Sequence, residues 1–327
     1  SRRTDSPKKP MTIWQAIQPT VVAFLGLPPW ETFKPFIITG LALGGVYALS
    51  GVGMVVLYRT TGVLNLAFGA IGAFGALLAW ELVNNQGWSQ WPAYAVCILI
   101  GGVITLAYGV IFGPPLAGRD PLVKAVATLG LLLILLGAMS WIWSDKARSL
   151  ILPTSEHHFQ VTDIAVTYTQ LLGLVFGIVV TFGTAAFLRF TKMGTAMRAL
   201  ANDREIAATL GVPVRRVEAL AWLVSGLLAG VSGLLLSNLV GLDAVSLTFL
   251  VISSLAAALI ARLRSLVVTF FAAIVVGLVN ALLTPVLSLT EYRGMTPFVL
   301  AIVALLVLSR RRVISFSGAA GLAGGRG

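Results

Sequence analysis

Acidic residues are scarce in this 327-residue chain: 12 Asp and Glu stand against 23 Lys and Arg, and only 11% of residues are charged. With 57% hydrophobic residues and a mean hydropathy of +0.94, the composition excludes a soluble domain and points to a polytopic helical membrane protein. Long apolar runs dominate where a barrel would show alternation, which excludes an outer-membrane barrel. A single cysteine, Cys97, sits inside an apolar run. It excludes an intrachain disulfide and reads as a helix-packing residue. No soluble basic domain is present to bind nucleic acid. The net charge of +11 therefore reads as membrane topology and contact with lipid headgroups.

Chemical motifs are also missing. No G-x-x-x-x-G-K-S/T occurs, so the chain holds no nucleotide in a P-loop of its own. There is no H-E-x-x-H and no His/Cys cluster at metal-ligand spacing, so no metal site is assigned. His157 and His158 lie beside Glu156 in a polar loop and read as a solvated pair on the outer face, since a metal needs more ligands. Gly230-Val231-Ser232-Gly233 resembles the serine motif of rhomboid intramembrane proteases. That chemistry needs a histidine in a neighbouring span, and both histidines lie in a loop between other spans. Packing is the better reading of Ser232, and no catalytic residue is assigned. The apolar runs hold no interior Asp or Glu, with Glu81 at a run's end and Asp243 in a loop. This argues against proton-driven transport, while sodium coupling through backbone carbonyls stays open.

The expected spans, each near the ~20 residues a bilayer requires, are residues 36–58, 62–83, 92–113, 122–143, 166–188, 219–240, 246–261, 266–287 and 296–308. Positive charge gathers at alternate connections: Arg59; Arg119 and Lys124; the loop carrying Arg189, Lys192, Arg198, Arg204, Arg215 and Arg216; Arg262 and Arg264; and Arg310 to Arg312. All fall on one side, and the positive-inside rule makes that side cytoplasmic. The basic N-terminal tail conflicts with this unless the chain crosses once more between Met11 and Trp30. That stretch reads either as an interfacial helix or as a marginal extra crossing. The fold class is therefore an all-α transmembrane bundle of about 8–10 spanning helices. A tail (1–35) precedes the transmembrane domain (36–314), whose cytoplasmic loop covers 189–217, and a Gly-rich tail (315–327) follows.

Small residues repeat at helical spacing in Gly40-Leu-Ala-Leu-Gly44, in Gly226-Leu-Leu-Ala-Gly230, and at Gly69, Gly72 and Gly75. Such faces let backbones approach closely in lipid. Polar residues at membrane depth are Tyr47, Ser50, Asn65, Thr128, Ser140, Ser237, Asn238, Ser253, Ser254, Asn280 and Thr284. Neutral hydroxyls and amides suit either a passage for a small polar solute or hydrogen bonds between helices.

The polar stretch from Arg189 to Glu218 is too long and too well punctuated for a plain connector. Asn202 can cap a helix with Glu205 reaching back to its amide. Ile206, Ala207, Ala208 and Leu210 then continue a short helix, Gly211 closes it in the left-handed conformation, and Pro213 blocks continuation. Thr195 to Ala201 can form a preceding turn or two. The loop is expected to present a compact Ala-rich surface ringed by arginines, suited to a groove on a cytoplasmic partner.

This loop and the helix after it, with the early stretch GLALGGVYALSGVGMVVLYRTTGVLNLAFGAIGAFGALLA, resemble the permease subunits of branched-chain amino acid ABC importers. That family also includes permeases for urea and short amides. The resemblance implies a second permease subunit, homologous or identical, two cytoplasmic ATPase subunits, an extracytoplasmic solute-binding protein and a bacterial-type inner membrane. It implies that this chain is no enzyme and binds no cofactor, with ATP and Mg held by the ATPases. It carries an ATPase-coupling role onto Arg198, Asn202, Glu205, Ala208 and Gly211. It suggests a translocation path near Tyr47, Ser50, Asn65, Phe68, Ser237 and Asn238, for a branched-chain or related amino acid. The alternative is a secondary transporter or channel without ATPases. Phe68 stands where the family has His in N-F-A-H-G. Ala261-Arg262-Leu263-Arg264-Ser265 replaces G-G-x-G-S, and Arg310 to Val313 replaces a Pro-Gly.

Overall fold

An unusually long central helix organises the chain. The computed structural model describes residues 30–144, 146, 148–150, 152–156, 158–161, 164–286, 295–304 and 306. The element order is α1 (Trp30–Thr61), α2 (Phe68–Asn84), α3 (Gln90–Leu116), α4 (Pro121–Trp143), the single turn α5 (Pro153–Glu156), β1 (His158–Val161), β2 (Ile164–Thr167), α6 (Tyr168–Phe190), α7 (Lys192–Asn202), α8 (Arg204–Thr209), α9 (Val214–Val240), α10 (Ala244–Ile260) and α11 (Leu266–Leu282). Residues 296–304 are also helical. The result is a polytopic helical membrane bundle.

α1 has 32 residues, about 48 Å at 1.5 Å per residue, and exceeds the ~30 Å hydrocarbon core. In its most apolar stretch 94% of residues are buried, against 22% in α4 and 22% in α6. α1 is thus the axis, packed on α11, α6, α9 and α10, while α4 lies at the rim against α2. The rim exposes large apolar side chains such as Ile134, Trp141, Val179 and Phe271, as a surface wetted by lipid does.

Glycine decides where the helices cross. A Cβ on Gly277 of α11 would lie 2.4 Å from the amide nitrogen of Gly44 on α1, and one on Gly226 of α9 would lie 2.3 Å from the carbonyl oxygen of Gly101 on α3. Gly69, Gly72 and Gly75 of α2 face backbone carbonyls of α10, α9 and α3 in turn, at Thr248, Ala229 and Cys97. The small-residue faces expected from sequence are therefore seats of backbone contact, as lipid-embedded packing demands. Cys97 is buried, with its Sγ 3.6 Å from the Gly230 carbonyl oxygen, and it packs α3 on α9.

Several span boundaries need correction. Residues 62–67 are not helical, so the span expected at 62–83 begins at Phe68. The span expected to start at Val166 starts at Tyr168, because Val166 pairs with Phe159 in a β-hairpin. Thr167 and Gln170 close a reciprocal capping box there, which the Thr-x-x-Gln spacing already encodes. Helix α11 stops at Leu282, short of the expected 287. The extra crossing or interfacial helix considered before Trp30, His157 and the Arg310 to Arg312 run lie outside the described residues. The connections expected on one side do converge: Arg59, Lys124, Arg204, Arg262 and Arg264 line one cavity at one end of the bundle.

Candidate functional site

At that basic end, α7 and α8 form an elbow. Thr191 caps α7 by accepting from the Gly194 amide at 3.0 Å. A Cβ on Gly194 would lie 2.3 Å from the Phe187 carbonyl oxygen, so only glycine lets α7 fold back this tightly on α6. Met197, Leu200 and Ala207 are buried with Val52, Val56, Leu57 and Trp222 in an apolar cluster. That anchoring turns the other faces outward. Arg198, Asn202, Glu205, Ala208 and Gly211 are all exposed. Beside them stand Ile206, 58% exposed, and Leu210, 79% exposed. The sequence pattern gives these two only a helix-forming part; their i, i+4 spacing on either side of buried Ala207 is the signal that marks an apolar ridge.

The elbow's punctuation differs by one residue from expectation. Asp203, not Asn202, caps α8: its Oδ1 accepts from the amides of Glu205 and Ile206, both at 2.9 Å. Asn202 ends α7 instead, and the extended backbone a cap requires falls on Asp203. The position three residues past this cap is Ile206, so the expected reach-back by Glu205 has no place. Gly211 closes α8 with φ +84°, as its type and place predict. The Arg204 Nε donates to Glu218 Oε1 at 2.9 Å and ties α8 to the first turns of α9.

The second feature lies in the bundle interior. Ser50 of α1, Phe68 and Gly69 of α2, Ser232 and Leu236 of α9, and Val251 of α10 surround a cavity of ≈ 10 Å³, room for about one water. Ser50 Oγ donates to the Val46 carbonyl at 3.1 Å and Ser232 Oγ to the Ala229 carbonyl at 3.0 Å. Among the described residues no histidine lines the cavity, so Ser232 meets no imidazole base among them. Of the path residues, Ser50 and Phe68 are brought together on this wall. Tyr47 is buried in the main core; Ser237 bonds the Leu234 carbonyl at 2.8 Å. Asn238 donates to the Leu150 carbonyl at 3.1 Å, which fastens α9 to the stretch after α4.

Asn65 sits in the unwound segment between α1 and α2. Its Oδ1 accepts from the Ala67 amide at 3.1 Å. Its Nδ2 is buried with no partner among the described residues. Thr128 of α4 stitches this segment: its Oγ1 lies 2.9 Å from the Leu64 carbonyl oxygen and accepts from the Leu66 amide at 3.2 Å. Thr128→Val, nearly the same shape, removes both bonds. A loss of about 1–3 kcal/mol is expected, read as a lower unfolding midpoint in detergent, with Thr128→Ser largely restoring it. An unchanged midpoint in Thr128→Val would show that the hydroxyl holds nothing.

A lipid-facing rim, glycine-seated crossings, a small interior cavity and an exposed helical elbow describe a multi-pass helical membrane protein. The chain belongs to the family described as branched-chain amino acid transport system / permease component, whose model matches residues 36–307. It is 25% identical over 294 residues to the high-affinity branched-chain amino acid transport system permease protein LivH of Escherichia coli K12, covering 84% of this chain and 94% of that one. It is 26% identical over 283 residues to the corresponding BraD of Pseudomonas aeruginosa, covering 83% and 92%. The fructose import permease protein FruG of Bifidobacterium longum is 25% identical over 266 residues, covering 74% of each chain. These relatives are named as permease proteins of transport systems, and the chain is a permease subunit of an importer.

Proposed function

We propose that this permease works in an ATP-driven importer of the bacterial inner membrane and carries a branched-chain or related neutral amino acid. It would act with a second permease, two ATPases that hold Mg and ATP, and an external solute-binding protein. The supporting observation is the elbow: anchored through Met197, Leu200 and Ala207 and exposed through Arg198, Asn202, Glu205, Ala208 and Gly211. Such a surface offers a rigid handle to a partner, with an apolar ridge ringed by charge. The positive-inside rule puts it in the cytoplasm, where ATP is available. The cargo class draws on the names of LivH and BraD, which match more of the chain than FruG does. It also fits the interior cavity, read as the constriction of the path, which combines Phe68, Leu236 and Val251 with two serine hydroxyls and no charged side chain among the described residues.

Mechanically, closure of the ATPases would move the elbow. α7 continues into α6 through Thr191 and Gly194, and α8 is tied to α9 by the Arg204–Glu218 pair. Since α9 carries Ser232 and Leu236, a shift of the elbow reaches the constriction wall. ATP then acts as the ligand that binds one of two bundle arrangements better and so shifts their populations. The test is reconstitution in vesicles with and without the ATPase subunits. Leucine uptake is expected to require both the ATPases and ATP. Equal uptake by the permease pair alone would favour a channel or secondary carrier.

A further inference from the structure

The basic end of the bundle holds a cavity of about 720 Å³ lined by Arg59, Lys124, Arg204, Arg262 and Arg264, with no acidic residue in its wall among the described residues. The cations come from four separate places: the end of α1, the first turn of α4, the elbow, and the turn between α10 and α11. Topology alone explains why each lies on this side. It does not explain their convergence on one concave space, because like charges brought together repel.

Lys124 makes the point most sharply. It is 8% exposed, and among the described residues its ammonium forms no hydrogen bond or ion pair. A Cβ on Gly62, another wall residue, would lie 3.4 Å from its Nζ, so the charge is aimed into the cavity. The body of the side chain is packed while its ammonium opens on the cavity, where no counter-charge meets it among the described residues. Arg204 at least shares Glu218 at 2.9 Å.

The α10–α11 turn adds a second cost at the same place. Arg262 and Leu263 both have left-handed backbone, at φ +53° and +55°, where side chains are strained by roughly 1–2 kcal/mol each. The conformation is held by amide bonds from Arg262 to the Leu259 carbonyl and from Leu263 to the Ala258 carbonyl, at 2.7 and 2.8 Å. Buried Leu263 adds apolar packing. Glycine would suit both positions. Arginine at 262 and again at 264 places two guanidinium groups on the cavity wall instead. Strain and crowded charge that coincide at one cavity point to a bound counter-ion.

We propose that this cavity binds a phosphate group at the inner membrane surface, presented by an anionic phospholipid or free in solution. Guanidinium forks match phosphate oxygens two at a time, and basic pockets between membrane helices on the cytoplasmic side suit such headgroups. A zwitterionic amino acid fits poorly, because the charged groups in the wall all repel its ammonium. The site is therefore separate from the cargo path, and its test does not depend on the cargo.

The full chain is compared with Lys124→Gln and Arg262→Gly in nanodiscs of phosphatidylcholine with or without phosphatidylglycerol, and in detergent with inorganic phosphate. Arg262→Gly relieves left-handed strain but also removes the arginine's own contacts, so its unfolding midpoint is measured beside its binding. Weaker binding with an unchanged midpoint then cannot be put down to misfolding. Both variants are expected to bind the anion about tenfold more weakly than the wild type. Phosphatidylglycerol retained on purification, seen by native mass spectrometry and lost in both variants, identifies the lipid source. Stabilisation by inorganic phosphate that both variants lose identifies the free source. Equal behaviour of the wild type and both variants in every arm overturns the proposal. So does an equal response of the wild type to succinate and to phosphate, which would mean the cavity reads charge without recognising phosphate.

Discussion

Leu210→Asp and Ala208→Trp are expected to weaken the hold of the permease on its ATPases by roughly thirtyfold or more, about 2 kcal/mol for a central anchor residue. ATP-driven uptake should fall with it. Neither change should disturb the bundle. Leu210 is 79% exposed and Ala208 also lies on the surface, while the residues anchoring the elbow are Met197, Leu200 and Ala207. Arg198→Glu belongs to the same series and tests the charged margin of the ridge. Among the described residues its hydrogen bonds are long, 3.4 Å to Thr195 Oγ1 and 3.5 Å to the Arg189 carbonyl, so its loss is expected to leave the elbow folded. ATPase pull-down and vesicle uptake are the measurements, with the unfolding midpoint as control. If the ATPases co-purify normally with all three variants, the elbow is not the coupling surface.

Gly226→Leu should have the largest effect on the fold. A Cβ there would lie 1.8 Å from Thr105 Oγ1 and 2.3 Å from the Gly101 carbonyl oxygen. The backbone cannot yield without parting α9 from α3. Overpacking of this kind costs typically 1–3 kcal/mol and more when backbone is in the way; here about 3 kcal/mol or more is expected, with loss of monodisperse protein after purification. Gly130→Leu and Gly137→Leu on α4 form the contrast. Among the described residues nothing beyond the local helix backbone lies within 4 Å of a Cβ at either position, and leucine is the better helix former, so these should be neutral or slightly stabilising. Equal tolerance of all three substitutions would mean that α9 and α3 do not pack as described.

That contrast shows where sequence reading stopped. Gly130 and Gly226 both sit in apolar helices, and spacing marks Gly226 only as a candidate through Gly230. Which glycine meets backbone depends on a helix more than a hundred residues away. The break at residues 62–67 was hidden for a related reason. Gly62-Val-Leu-Asn-Leu-Ala is apolar enough for hydropathy to pass straight through it, and the unwound carbonyl and amide at Leu64 and Leu66 are satisfied by Thr128, a partner no local pattern announces. The cap of α8 shifted from Asn202 to Asp203 because both residue types can cap. The choice falls on whichever residue is extended once Met197 and Leu200 have docked.

The membrane class, the approximate spans, the common side of the basic connections and the left-handed close at Gly211 were legible in the chain alone. Each depends on hydropathy, charge count or one residue's backbone preference, all of which act over a few neighbours. The rim position of α4, the small cavity between Ser50 and Ser232, the outward ridge of Ile206 and Leu210, and the shared cavity of Arg59, Lys124, Arg204, Arg262 and Arg264 came from packing. In these features, distant segments are brought within van der Waals or Coulomb range. Such proximity is set by the shape complementarity of whole helices, which short stretches of sequence do not contain.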